Sequence, residues 1–173
     1  NTSLFYKNGW QGINIDLNPL TIDLFNFMRS NDININTAIS SEESEKTLFF
    51  LSENNTQNTL SENQILFLKK HHNLRDDEII KKKIQTRRLD DILEENNFHN
   101  IDFMNLDVEG HELEVLKTIN FKKTKLKYVC IEMINHNDLS IKNSDQILEL
   151  LETNKFEQIK KFDFNYIFKN KEI

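Results

Sequence analysis

Apolar residues along this chain come in short runs, most closed by a polar or charged residue and followed by a stretch with helical spacing. Residues 2–8 read as the end of a helix, with Gly9 as its stop. Residues 11–17 form a short buried strand that ends at Asp16 and is punctuated by Asn18-Pro19. Residues 20–28 have helical spacing, with Leu20, Leu24, Phe25 and Met28 on one side. Residues 33–39 alternate apolar and polar positions and predict a second strand. Residues 47–51, centred on Phe49 and Phe50, predict a third. The stretch 52–78 is rich in Ser, Asn, Glu and Gln, with one apolar knot at Ile65-Leu66-Phe67-Leu68. It reads as a long loop with a helical piece, a lid or binding insertion in an otherwise compact domain.

The second half is more regular. Residues 78–85 are strand-like, and Thr86 is placed to cap a helix carrying Leu89, Ile92 and Leu93. Residues 101–107 predict a strand. Residues 112–119 follow as a helix with Leu113, Leu116 and Ile119 on one face. Residues 126–134 are nearly continuous in apolar side chains, the mark of a strand buried on both faces. Ser144 is placed to cap a helix bearing Ile147, Leu148 and Leu151, and residues 156–162 and 165–169 predict a hairpin. Alternating strands and helices imply an α/β fold with a mostly parallel sheet and a C-terminal antiparallel hairpin. Residues 1–173 make one domain.

Composition narrows the function classes. The formal net charge is −6, so electrostatics favour neither nucleic acid nor anionic lipid as a partner. Lys81-Lys82-Lys83 and Arg87-Arg88 form a local basic run that reads as a solvated strand edge and helix start. Cys130 is the single cysteine, which excludes a disulfide framework and a cysteine-based zinc site and points to a reducing, cytoplasmic setting. No stretch approaches the roughly 20 apolar residues of a membrane span, and no signal peptide is visible. The three glycines, Gly9, Gly12 and Gly110, cannot build a Gly-x-Gly-x-x-Gly loop.

Candidate chemistry collects at strand ends. Ligands of open α/β sheets sit just outside the carboxyl ends of the strands, and Asp16, Asp107 and Glu132 close three of them. Glu109 and His111 follow Asp107, and His136 follows Glu132 by four residues. Carboxylates and histidines on one rim can hold a divalent cation or act as a general base. The structural alternatives are acids that cap the next helix, a Glu132–Lys127 ion pair, and an Asp16 that only forms the turn before Asn18-Pro19. In nucleotide-binding βαβ units an acid in the place of Asp16 binds ribose hydroxyls about 20 residues after the first glycine of the phosphate loop. That count puts the loop upstream of Asn1, so the domain is expected to be N-terminally incomplete. Cys130 sits between Val129 and Ile131 as a small core residue. His71-His72 has no partner acid at metal-site spacing.

Several segments together resemble the FkbM family of S-adenosylmethionine-dependent methyltransferases. They are Asn1-Thr2-Ser3-Leu4-Phe5 through Gly9-Trp10-Gln11-Gly12-Ile13-Asn14-Ile15-Asp16-Leu17-Asn18-Pro19, then Thr86-Arg87-Arg88-Leu89-Asp90-Asp91-Ile92-Leu93, and above all Ile101-Asp102-Phe103 through Leu106-Asp107-Val108-Glu109-Gly110-His111-Glu112-Leu113-Glu114-Val115-Leu116. Val129-Cys130-Ile131-Glu132 and the terminal hairpin fit as well. The similarity covers nearly the whole chain, and the Asp-Val-Glu-Gly-x-Glu block is its most specific part.

The resemblance implies a class I methyltransferase (Rossmann-like) fold with strand order 3-2-1-4-5-7-6, here lacking strand 1 and its glycine-rich loop. It implies O-methylation of a hydroxyl on a sugar or secondary metabolite, with S-adenosylmethionine as cofactor. Asp16 would bind the ribose with Leu17 against the adenine, and Thr37 and Ala38 would border the adenine. Asp107 would sit near the reacting methyl, while Glu109, His111 and Glu132 line the acceptor side under segment 52–78. Asp107 or His111 would be the base, and a bound Mg²⁺ would lower the hydroxyl pKa further. Two other classes use the same features: an NAD(P)- or sugar-nucleotide-binding Rossmann enzyme, and a catalytically inactive methyltransferase-fold interaction module. Loss of strand 1 is expected to leave a gap between the strands at 12–16 and 101–107.

Overall fold

A computed structural model describes residues 2–52, 57–133 and 141–173. Helix α1 (Ser3–Lys7) ends before Gly9, whose φ of +86° suits a residue without a Cβ. Strand β1 (Ile13–Asp16) leads into helix α2 (Pro19–Met28). Asn18 caps α2 by accepting from the Leu20 N–H, and Pro19 takes the first helical position, where its missing N–H does no harm. Strand β2 (Ile33–Asn36) returns parallel to β1, with Ile13 opposite Ile33. Polar side chains lock this pair together. The Asp32 carboxylate accepts from Gly12 N–H and Asn14 Nδ2 and meets Arg29 at 2.8 Å, while Asn14 donates to Asn34.

At Thr37 the chain changes partners. Strand β3 (Ala38–Ile39) lies parallel to strand β5 (Ile80–Arg87), and strand β4 (Glu45–Phe50) runs antiparallel on the other side of β5. The expected single strand at 33–39 is therefore two strands in two sheets. Between β4 and β5 lie helix α3 (Glu62–His72) and a 3₁₀ turn (Asp76–Glu78). Phe49, Ile65 and Leu68 form a small core there.

Helix α4 (Leu89–Glu95), strand β6 (Asn100–Leu106), helix α5 (Glu112–Leu116), strand β7 (Lys125–Glu132), helix α6 (Ile141–Thr153) and the hairpin β8 (Phe156–Phe162) and β9 (Asn165–Asn170) complete the chain. Their strands are ordered β6-β7-β9-β8, with β6 and β7 parallel and the hairpin antiparallel. The main core lies against this sheet. Leu116, Leu126, Val129, Ile131 and Leu151 are sealed from solvent, and Ile13 and Ile15 of β1 pack on the same cluster.

Among the described residues three strand pairings are parallel and three antiparallel, so the architecture is mixed α/β rather than mostly parallel. Three local expectations also change. Thr86 does not cap α4. It lies fully buried within β5, its hydroxyl 2.8 Å from the Glu42 carbonyl, and Thr118 Oγ1 accepts the Leu89 N–H instead. Ser144 lies inside α6 rather than at its cap. Helix α2 turns Ile22 inward and leaves Leu20, Leu24 and Met28 exposed. No helix among the described residues is long and apolar enough to cross a membrane.

Candidate functional site

The turn after β6 is built around two successive left-handed residues, Glu109 (φ +53°) and Gly110 (φ +88°). Left-handed backbone at a residue with a Cβ costs about 1–2 kcal/mol, so the turn needs external support. Glu112, at the start of α5, is buried. Its Oε1 accepts from both Val108 N–H and Gly110 N–H at 3.1 Å. Burial still raises its pKa, against those amides. From the other side, Thr59 Oγ1 donates to the Glu109 carbonyl at 2.8 Å. Gly110 is required twice over: by its φ, and because a Cβ there would stand 3.3 Å from Ser61 Oγ.

This turn brings three carboxylates together. The parallel register that pairs Leu106 with Ile131 sets Asp107 beside Glu132 one residue later. One oxygen from each of Asp107, Glu109 and Glu132 lies within 4.8 Å of the others. Three ionised groups at that spacing repel strongly, and raised pKa values relieve the repulsion. Burial first, then the charges of Asp107 and Glu112, push Glu109 up to about 7, although Gln64 Nε2 donates to its Oε2 at 3.1 Å. Glu132 is also pushed up to about 7, by burial, by the charge and hydrogen bond of Asp107, and by Glu109 and Glu112. A carboxyl–carboxyl hydrogen bond needs a proton between the two, and the raised Glu132 is the carboxyl that can carry it. Spacing of this kind suits proton sharing and is also within the range that hard cations use.

Asp16 belongs to the same rim. It ends β1, and the Thr37 N–H donates to its carbonyl at 3.1 Å. Its Oδ1 accepts the Asn18 N–H at 2.7 Å, which is the turn role its place before Asn18-Pro19 suggests. Burial raises its pKa, the Asn18 and Thr21 hydrogen bonds oppose this, and the Asp107 charge adds to the rise. Asp16 and Asp107 therefore lie within electrostatic reach of each other. Leu17 is half-buried beside Asp16. Ala38 opens β3 rather than ending the strand before it, and is buried opposite Thr86.

His111 departs from the expected cluster. Its Nε2 stands 3.1 Å from Ser40 Oγ, on the side of the β3–β4 connection. Burial lowers its pKa, Glu114 opposes this, and Lys46 and Lys117 add to it. His136 falls outside the described residues. Lys127 lies 3.9 Å from Asp102, so it does not take Glu132 as its partner. Cys130 is buried with its thiol pKa raised by desolvation, as a core residue should be. Sequence reasoning missed Thr59, Gln64 and Glu112 as supports of the site. The pattern Ser61-x-x-Gln64 marks a helix start, but nothing local in it points to a loop some 45 residues away.

A family model described as the methyltransferase FkbM domain matches residues 1–166. Among curated proteins and among solved structures, none matches the chain. With the family model spanning nearly the whole sequence, the chain belongs to the FkbM methyltransferase family.

Proposed function

We propose that this domain transfers a methyl group from S-adenosylmethionine to a hydroxyl of a sugar or secondary metabolite, on a class I methyltransferase scaffold. The observation that carries the reading is the rim itself. An acid at the end of β1 and a hydrogen-bonded carboxyl pair at the ends of β6 and β7 lie within reach of one another. The strand order supports the scaffold. The β2–β1 pair and the β6-β7-β9-β8 sheet match the 3-2 and 4-5-7-6 portions of the class I order. β1 and β6 are not hydrogen-bonded to each other, although Ile13 and Ile15 pack on the core that β6 helps to enclose.

The residues present fit the ribose side and the acceptor side of such a cofactor. Gly9 and Gly12 have open space where a Cβ would stand. When bound, the cofactor supplies a methyl on a sulfonium, which is a good leaving group. The second Asp16 oxygen would accept from ribose hydroxyls, with Leu17, Thr37 and Ala38 bordering the adenine. Asp107 and Glu132 would orient the acceptor hydroxyl and take its proton. Glu132, raised to about 7 and hydrogen-bonded to Asp107, is suited to proton exchange near neutral pH. His111, bonded to Ser40 and facing Lys46 and Lys117, fits the base role less well than this pair. The residues ask for a neutral, hydroxylated acceptor, small molecule or glycan, and buried Cys130 suits a reducing cytoplasm.

The test uses the full-length protein. Calorimetry should show micromolar S-adenosylmethionine binding, and labelled methyl should transfer to a hydroxylated acceptor in a glycan and metabolite panel. A chelator arm asks whether Mg²⁺ takes part. Binding without any transfer across the panel would point to an inactive module, and preference for NAD(P) would overturn the reading.

A further inference from the structure

The start of α3 is wired in an unusual way. Ser61 caps the helix by accepting the Gln64 N–H at 3.2 Å. In the usual Ser-x-x-Gln box, the Gln side chain reaches back to the N–H of the capping residue. Here Thr59 Oγ1 takes the Ser61 N–H at 2.9 Å while donating its own proton to the Glu109 carbonyl at 2.8 Å. Gln64 is thereby released from its own helix. Its buried side chain crosses to the loop after β6 and donates to Glu109 Oε2 at 3.1 Å. The rest of the Glu109–Gly110 turn is gripped from both sides, by Glu112 on the amides of Val108 and Gly110 and by Ser61 against Gly110.

Glu109 has good reason to swing away. Its backbone is left-handed, and Asp107, Glu132 and Glu112 all repel its charge. A glutamate side chain has rotamers that would carry it towards solvent. We propose that Gln64 is a positioning residue, which turns the Glu109 carboxylate inward to Asp107 and Glu132 and so makes the seating of α3 part of the carboxylate site. The proposal rests on the methyltransferase reading only for what the site does. The geometry stands on Gln64, Thr59 and Glu109 themselves. One oxygen of Glu109 is held by Gln64, and the carboxylate faces Asp107 and Glu132 on the strand ends and Glu112 on α5. An N–H donor favours the ionised carboxylate, so Gln64 opposes the upward pressure of those charges.

The experiment is a pH titration of the Glu109 side chain by carbon-13 NMR in the full-length protein, with the resonance assigned through Glu109→Gln. Gln64→Met keeps length and volume and removes the donor. Gln64→Glu keeps length and polarity and adds a like charge. In both, the released carboxylate should leave the burial and like charges that raise it, so the Glu109 midpoint should fall from its value near 7 towards that of a free glutamate. Thr59→Val should act in the same direction by loosening the turn. Circular dichroism and melting temperature identify variants that remain folded. Either Gln64 variant suffices if the other fails to fold, and should both fail, the Thr59→Val titration decides. An unshifted or raised midpoint in a folded variant would show that Glu109 stays inward without Gln64 and would overturn the proposal. If the midpoint drops while the wild-type protein transfers no methyl, the functional reading falls and the positioning role stands.

Discussion

The two halves of this domain are built to different standards. The sheet β6-β7-β9-β8 encloses a dry core in which Leu116, Val129, Ile131 and Leu151 are all 0% exposed. The β1–α2–β2 unit has only Ile22 and Asp32 buried, and it leaves Phe27 87% and Met28 69% exposed. It is held by a polar network of Asp32, Asn14, Asn34 and Arg29, where the other half is held by interdigitated aliphatic side chains. The candidate site lies across the seam. Asp107, Glu109 and Glu132 stand on the tightly packed half and Asp16 on the loosely packed one. A site arranged this way can keep the Asp107, Glu109 and Glu132 carboxylates rigid while Asp16 adjusts.

The largest effect should come from the rigid half of the site. Asp107→Asn keeps shape and hydrogen-bonding capacity but removes the proton acceptor shared with Glu132. In the full-length protein the methyl-transfer rate should fall by about 10²–10⁴-fold, the usual range for a positioned base. The denaturation midpoint should barely move, because the Asp107 side chain is exposed. Wild-type turnover in the Asn variant would remove Asp107 from the mechanism.

Next comes the packing contrast itself. Leu116→Ala deletes a fully buried side chain and should destabilise by about 2–5 kcal/mol, read as a lower urea midpoint. Phe27→Ala removes a larger side chain from an exposed helix face and should stay within about 0.5 kcal/mol of wild type. A Phe27→Ala loss comparable to that of Leu116→Ala would mean that the α2 face is covered in the working protein, and the comparison between the halves would fail.

Asp16→Ala tests the loose half. A hydrogen bond to a charged group is worth about 1.5–3 kcal/mol, so S-adenosylmethionine binding to the full-length protein should weaken by that amount in calorimetry. Stability should also drop slightly, since Asp16 accepts the Asn18 N–H at the start of α2. A lost turn with an unchanged dissociation constant would show that Asp16 is a turn residue alone.

How much of this was legible in the sequence follows the same division. In the tightly packed half, apolar runs and period-2 or period-3.6 spacing fix the elements, and β6, β7 and the β8–β9 hairpin fall within a residue or two of expectation. In the loose half the same signals mislead. Leu20, Leu24 and Met28 form an apolar stripe, yet Ile22 is the side chain that α2 buries. The alternation through 33–39 hides a partner switch at Thr37, because alternation is blind to which neighbour a strand pairs with. Asp16, Asp107 and Glu132 were visible as strand-end acids. The family resemblance places His111 with the acids on the acceptor side, whereas the left-handed turn at Glu109 and Gly110 sends it towards Ser40. The supports Thr59 and Gln64 depend on contacts across some 45–50 residues and leave no local mark.

The smallest effect, and the most direct probe of the seam, is the dependence of stability on pH. Glu109 and Glu132 have folded pKa values of about 7, whereas a glutamate in the unfolded chain titrates near ~4.3. Between those values the folded state holds protons that the unfolded state has released. Stability therefore falls as pH rises through this window and levels off above about 7. Both side chains are partly open to solvent, so the slope should be shallow. Asp16 and Glu112, also raised, add to it with the same sign. Melting temperatures from pH 4.5 to 8 should fall across that interval, and Glu132→Gln should flatten much of the decline by replacing a titrating group with a neutral one. Stability that rises over the same interval, or a slope untouched by Glu132→Gln, would mean that Glu132 at the end of β7 does not hold its proton in the folded state. The rigid half of the site would then need another way to hold three acids within 4.8 Å.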